Sequence, residues 1–367
     1  MSWVGLGKIS HFVPDDKSLN DLSFRAKRGI FPTQDGFKYT IANPLIDRIY
    51  FEKTIVSGIL NDLWEVTGGK MFGAETLDHV AFPVRDLPRS ERFYIETVGL
   101  TFLTQRKNAD GSPRHTYVKA GDNIIGLNLP GIQADLSPSG APRYAVALGS
   151  ETAFNAAVER IKASGVVGGD VRECSQGSPF VRSFRFVDFD QNHFEICMNR
   201  RSLGDIALSH VILETTDLEG AIKFYSEALG LSFVGEFADE HFFTFPNHQL
   251  IGVKPVAALS DRTKRHGRAV HVALNVRQED FDRMLELIPA CGGANQGDAR
   301  AEDGLRPPGE RSTYFSDPNT NKLQITAHGE EDWSLISDEE KWRRISENRE
   351  KLGRGLSRFD RGVKPNQ

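Results

Sequence analysis

The sequence predicts an α+β fold built from four βαβββ modules, paired two by two into two domains, with helical extensions at both ends. Three observations carry this. A long segment near residue 80 recurs near residue 210, a second segment near residue 190 recurs near residue 320, and each copy opens on a strand-like run that gives way to a helical period. Internal duplication of this kind organises a chain before any single motif does.

LDHVAFPVRDLPRSERFYIETVGLTF (Leu77–Phe102) aligns without a gap on LSHVILETTDLEGAIKFYSEALGLSF (Leu208–Phe233), so that His79, Asp86, Tyr94, Gly99 and Phe102 fall on His210, Asp217, Tyr225, Gly230 and Phe233, each 131 residues later. FVDFDQNHFEI (Phe186–Ile196) aligns on FSDPNTNKLQI (Phe315–Ile325) at an offset of 129, pairing Asp188 with Asp317 and Glu195 with Gln324. Between them, IIGLNLP (Ile124–Pro130) resembles LIGVKP (Leu250–Pro255), and AVAL (Ala145–Leu148) resembles HVAL (His271–Leu274), which sets Ala145 against His271.

Leu208–Thr215 alternates and is rich in β-branched residues, as a half-buried strand requires. Asp217 is a candidate N-cap; Ile222, Tyr225 and Leu229 then fall on one helical face, and Gly230 is the stop. Ser232–Phe237, His241–Phe245 and Gln249–Val253 read as three short strands. The other half of that copy repeats the order: Val270–Val276, a helix near Gln278–Ile288, and strands ending at Lys322–Thr326. Side chains alternate across a strand, so Val211 and Leu213 oppose His210, Val270 and Val272 oppose His271, Leu323 and Ile325 oppose Gln324, and Phe194 and Ile196 oppose Glu195. The aliphatic set is expected beneath the helices, and the polar set on the concave face of a curved sheet.

Composition narrows the rest. The 367 residues carry a net charge of −5, with 39% hydrophobic and 26% charged residues, which suits a globular protein of two or three domains rather than a nucleic-acid binder. The basic stretch Lys341–Lys364 lacks the interleaved aromatics of a base-stacking surface. No apolar run reaches the roughly 20 residues of a membrane span, and the N-terminus does not resemble a secretory signal. Cys174, Cys197 and Cys291 form neither a disulfide framework nor a metal knuckle, so a cytoplasmic protein is expected.

These repeats resemble the vicinal oxygen chelate superfamily of glyoxalases, bleomycin- and fosfomycin-resistance proteins and extradiol dioxygenases. Four modules in one chain most resemble the two-domain type I extradiol dioxygenases. The resemblance covers Leu77 to His328. It implies a first domain over 76–200 (modules 1 and 2, metal-free) and a second over 206–328 (modules 3 and 4, the active site); outside it, residues 1–75 read as an extension with one long helix and 329–367 as a helical, basic tail. It further implies a metal held by His210, His271 and Gln324, with His248 as acid/base and Tyr314 as a donor to bound oxygen. The metal would be Fe(II), with Mn(II) or Zn(II) as alternatives, and the activity ring cleavage of a catechol-like aromatic diol by O2. Gln324 departs from the family, whose ligand there is a glutamate. An amide leaves the ion its full charge, which favours a dianionic chelating substrate and opens a second reading, a non-redox isomerase, epimerase or lyase working through an enediolate. A metal-free protein binding small ligands is a third. In the first domain His79 and Glu195 stand at ligand positions, Ala145 fills the middle one, and His115 or Asp122 are candidates to complete a set. His241 is an alternative to His248 in the pocket; His11, His193, His266 and His328 are expected at the surface, and Cys197 is expected to be inert. A homo-oligomer is expected, with neither membrane nor nucleic acid as partner. Candidate docking elements are the helix near Pro44–Val66 and a tail helix near Asp338–Leu352 with Trp342 and Ile345.

Overall fold

A computed structural model of the chain describes residues 72–107, 110–129, 137–260, 271–296 and 310–329, together with Glu340, Arg343, Arg344 and Glu347, which are helical. The chain divides into two units, Met1–Glu52 and Lys53–Gln367, and every described residue belongs to the second. The helix expected at Pro44–Val66, most of the tail helix, His11 and His266 lie outside the described residues.

The four expected modules are present. Module 1 runs β1 (Ala74–Pro83), α1 (Leu87–Arg92, continued as a π-helix over Phe93–Val98), β2 (Thr101–Lys107), β3 (Pro113–Ala120) and β4 (Asn123–Asn128). Module 2 runs β5 (Arg143–Leu148), α2 (Glu151–Ala163), β6 (Val167–Glu173), β7 (Phe180–Val187) and β8 (His193–Asn199). Module 3 runs β9 (Ile206–Thr215), α3 (Leu218–Lys223, continued as a π-helix over Phe224–Ala228), β10 (Ser232–Phe237), β11 (Glu240–Thr244) and β12 (Leu250–Pro255). Module 4 runs β13 (His271–Val276), α4 (Gln278–Ala290), β14 (Ala294–Asn295), β15 (Arg311–Ser316) and β16 (Lys322–Ala327). The helix ends follow the sequence. Asp86 and Asp217 cap α1 and α3 by accepting from the backbone N–H three residues on, and Gly99 and Gly230 take the left-handed conformation just past the π-turns.

The pairing of the modules corrects the expected domain boundaries. Module 1 shares an eight-stranded sheet with module 4, in the order β14-β15-β16-β13-β1-β4-β3-β2. Module 2 shares the other sheet with module 3, in the order β10-β11-β12-β9-β5-β8-β7-β6. Neither 76–200 nor 206–328 is therefore a self-contained pair of modules. Connection length gives the physical reason: residues 200–205 join β8 to β9 by a short turn within one sheet, whereas the much longer segments 129–142 and 256–270 carry the chain between sheets.

Modules adjacent in sequence are tied through their helices instead, where α1 packs on α2 and α3 on α4. Tyr94 of α1 donates to Asp188 Oδ2 of module 2 at 2.7 Å, and Tyr225 of α3 donates to Asp317 Oδ2 of module 4 at 2.8 Å. This explains why those two Tyr and two Asp stand at matching places in the repeat. Burial and the Asp188 carboxylate push the Tyr94 phenol well above its ordinary pKa, so it remains a donor. Tyr94→Phe removes a buried charge-assisted hydrogen bond and is expected to cost about 2 kcal/mol, read as a lowered urea midpoint with the slope unchanged. The aliphatic faces of both sheets and the helices form one hydrophobic core, as the alternation predicts: Val80, Phe82, Val211, Leu213, Val272, Leu274, Leu323 and Ile325 are all in it. The opposite faces form two concave cups.

Candidate active site

The first cup lies on the sheet of modules 1 and 4. Register fixes its floor: His79 on β1 stands opposite Ala273 on β13, and Ala273 stands opposite Gln324 on β16. Tyr314 on β15 stands opposite Gln324, and His271 opposite Ala81. The small residues Ala81 and Ala273 leave room between the larger ones. His79 Nε2 and His271 Nε2 approach to 2.9 Å, their rings near perpendicular. The Tyr314 ring meets the His271 ring edge-on at 5.2 Å. Gln324 is buried; its Nε2 donates to Ser312 Oγ at 2.5 Å and to Thr326 Oγ1 at 3.2 Å, and its Oε1 has no partner. His115 and Tyr117 on β3 flank the same face, half-buried.

A β-bulge between Leu77 and His79 adds a second layer behind these residues. The displaced residue, Asp78, holds His79 Nδ1 through Oδ2 at 2.6 Å and accepts from His328 Nε2 through Oδ1 at 2.9 Å. His328 Nδ1 lies 3.4 Å from Glu310 Oε2. Hydrogen bonds to Asp78 and Glu310 push the His328 imidazole up to about 10, so it is an imidazolium donating from both nitrogens at neutral pH. Burial alone would raise the Asp78 carboxyl, but His79 and His328 beside it hold it well below the usual carboxylate range. With Nδ1–H directed at Asp78, His79 presents its Nε2 lone pair to the cup.

The second cup repeats this plan with different chemistry. His210 on β9 and Glu195 on β8 both stand opposite Ala145 on β5. Ala145 is thus the counterpart of Ala273, and Arg143 that of His271, a two-residue correction to the sequence alignment of Ala145 with His271. Arg143 is 2% exposed; its Nε lies 2.7 Å from Glu195 Oε2 and its Nη2 donates to both Glu240 oxygens at 2.8 and 2.7 Å. Arg185, opposite Glu195 as Tyr314 is opposite Gln324, bonds Glu195 at 3.0 Å and Glu240 at 3.2 Å. Burial would raise the Glu195 carboxyl, but Arg143 foremost holds it well below the usual range, and burial pushes the His210 imidazole down. Phe180, Phe242, Ile212 and Leu250 fill the remaining space.

These positions settle which predicted residues meet. His271, Gln324 and Tyr314 share the first cup, but His210 is on the other sheet, facing Glu195 at 3.8 Å and the rings of Phe180 and Phe242, so it does not join them. His248 sits in an exposed β11–β12 turn at φ +70° against the Arg201 guanidinium, outside either cup. His241 turns to the opposite face of β11, onto Phe233. Cys197 is buried in the second cup, and burial pushes its thiol up. His328 is exposed, as expected of a surface residue, and is also the outer support of Asp78. Sequence reasoning missed His79 as the partner of His271 because it paired neighbouring modules; the lengths of the connecting segments were the available signal. A cavity of about 730 Å³ borders Asp78 and His328, but neither His79 nor His271 lines it.

Among the described residues no three His, Cys, Asp or Glu side chains form a metal-binding group. The first cup instead offers two imidazoles and an amide oxygen. Two nitrogens bound at about 2.1 Å to a tetrahedral ion stand about 3.4 Å apart; the observed separation is 2.9 Å, so holding one takes only a small outward shift of the two rings. The orphaned Gln324 Oε1 on the same face is the candidate third donor, and two imidazoles with an amide oxygen are donor types that suit a borderline divalent ion. The second cup does not fit one, because Arg143 and Arg185 already neutralise its carboxylates, Glu195 and Glu240.

The family model of the Glyoxalase/Bleomycin resistance protein/Dioxygenase superfamily matches residues 76–196. Among solved structures, a Bacillus subtilis "putative dioxygenase" is similar over 81% of this chain and 99% of its own, at 16% identity and a TM-score of 0.56. Glyoxalase I from Zea mays is similar over 69% of this chain and 92% of its own, at 19% identity and a TM-score of 0.56. At these identities the likeness is one of fold.

Proposed function

Because this chain carries a domain of the glyoxalase/bleomycin resistance protein/dioxygenase superfamily, we propose that the cup between modules 1 and 4 is the active centre of a metal-dependent, non-redox isomerase, epimerase or lyase. Its substrate would be a small molecule with two adjacent oxygens. The observation that carries this is the approach of His79 Nε2 and His271 Nε2 to 2.9 Å on the face of the sheet that also carries Gln324, whose buried Oε1 has no partner. His79, His271 and Gln324 would hold the ion, which when bound polarises the substrate's oxygens as a Lewis acid. Asp78 fixes the tautomer and orientation of His79. Tyr314, against His271, would donate to a substrate oxygen, and the half-buried His115 and Tyr117 on the same face would border the space a substrate enters. The test is turnover of a panel of α-hydroxycarbonyl compounds and vicinal diols under argon with Mn(II) or Zn(II). Turnover without oxygen is expected, and its absence with every member would overturn the reading. Gln324→Glu is expected to tighten Zn(II) binding about tenfold or more by adding an anionic ligand; unchanged affinity would remove Gln324 from the ion.

A second reading is extradiol ring cleavage of a catechol-like diol with Fe(II) and O2. It is favoured by Tyr314, which stands where that family has a tyrosine and meets His271. It is opposed by the amide at Gln324, since ferrous oxygen chemistry is served by two histidines and a carboxylate. Oxygen uptake by anaerobically iron-loaded protein on adding catechols would decide for it.

A further inference from the structure

We infer that Asp78, acting through His79, supplies from behind the ligands the negative charge that Gln324 does not bring, and that His328 and Glu310 hold it in that role. The inference rests on reading the first cup as a metal centre, and it comes from comparing the two cups.

Both cups have the same bulge on the same strand. In the second cup the displaced residue is Ser209, whose hydroxyl meets His210 Nδ1 at 3.1 Å and donates to Asn199 Oδ1 at 2.9 Å. Asn199 is the counterpart of His328, 129 residues earlier, and Ser209 that of Asp78, 131 residues later. The fold therefore makes this network equally well with uncharged groups. Charge is distributed oppositely in the two copies. The second cup has a carboxylate at the inner position, Glu195, and a neutral network behind it. The first has a neutral amide at the inner position, Gln324, and a carboxylate behind the histidine.

The local charges add up in the same sense. His328 lies between Asp78, at 2.9 Å from its Nε2, and Glu310, at 3.4 Å from its Nδ1, so the network behind His79 sets two carboxylates around one imidazole. A carboxylate accepting from the far nitrogen of a ligating imidazole orients the ring and raises its donor strength, and its loss typically weakens metal binding 10- to 100-fold. Asp78 is thus a positioning residue, with His328 and Glu310 as its supports.

The test is calorimetric titration of metal-stripped protein with Zn(II) and Mn(II), alongside urea unfolding of each variant. Asp78→Asn keeps the shape and removes the charge; Asp78→Ser with His328→Asn places the second cup's own residues in the first. Both are expected to bind about 10- to 100-fold more weakly than wild type. Adding Gln324→Glu to either is expected to restore wild-type affinity, a rescue that a purely structural role for Asp78 would not give. Wild-type protein that binds metal while both variants bind within twofold of it, or a weakened variant that Gln324→Glu does not rescue, overturns the inference alone. Wild-type protein that takes up neither ion overturns the reading of the cup and this inference with it.

Discussion

His271→Ala is expected to abolish stoichiometric Zn(II) or Mn(II) binding and to lower turnover by well over a hundredfold, while His210→Ala leaves both unchanged. The asymmetry follows from which sheet each histidine occupies. His271 Nε2 is one of two imidazole nitrogens 2.9 Å apart, and its removal leaves one nitrogen and one amide oxygen, too few donors to retain an ion. Loss of an outer-layer partner alone typically costs up to about a hundredfold, so loss of a direct donor must exceed that. His210 is fully buried between Phe180 and Phe242, with its Nε2 3.8 Å from a carboxylate that two arginines already neutralise. Its truncation leaves a cavity and is expected to cost about 2–4 kcal/mol of stability without touching the metal. His79→Ala should behave as His271→Ala does. Equilibrium dialysis of the three variants with metal analysis reads the outcome; loss of metal in His210→Ala with retention in His79→Ala would reverse the assignment of the cups.

That contrast also marks how far the sequence could be read. Alternation placed His210, His271, Gln324 and Glu195 on concave faces correctly, because side-chain direction along a strand is a local property. The caps at Asp86 and Asp217 and the stops at Gly99 and Gly230 were legible for the same reason. Which concave faces meet is not local. It depends on how β1, β5, β9 and β13 pair, and the same repeats are compatible with module 1 beside module 2 or beside module 4. The six-residue link at 200–205, against the longer ones at 129–142 and 256–270, was the one sequence feature that distinguishes these arrangements. The resemblance to extradiol dioxygenases pointed the other way, and with it went His210 as a ligand and His248 as acid/base. Asp78 and His328 could not be recognised at all, since their roles come from a bulge that shifts one residue out of the alternating pattern. Arg143 was hidden by an alignment two residues out of register.

Arg143→Met is expected to be among the most destabilising substitutions in the chain, costing about 3–5 kcal/mol. The guanidinium bridges Glu195 and Glu240, each 2% exposed at the side chain, and fills the place that His271 takes in the other cup. Methionine matches much of its volume, so the cost comes mainly from charge: two buried carboxylates would be left to Arg185 alone, and Arg185 is itself partly exposed. The pH dependence gives a second readout. In the wild type the Glu195 carboxyl is held below its unfolded value, so the pair contributes stability that is present above about pH 4.3, the ordinary glutamate value, and is lost as pH falls further. In Arg143→Met the buried Glu195 loses its main counter-charge, its carboxyl should rise above the unfolded value, and the variant should gain stability relative to wild type as pH falls. The gap between the wild-type and variant urea midpoints is therefore expected to be smaller at pH 4.5 than at pH 7.5. Adding Glu195→Gln and Glu240→Gln should recover most of the loss at pH 7.5, because a buried ion cluster is costly chiefly when it is broken rather than when it is absent. A variant as stable as wild type at pH 7.5 would show that Arg143 does not stand in for a cation in the second cup, and the contrast between a working cup and a self-neutralised one would fail.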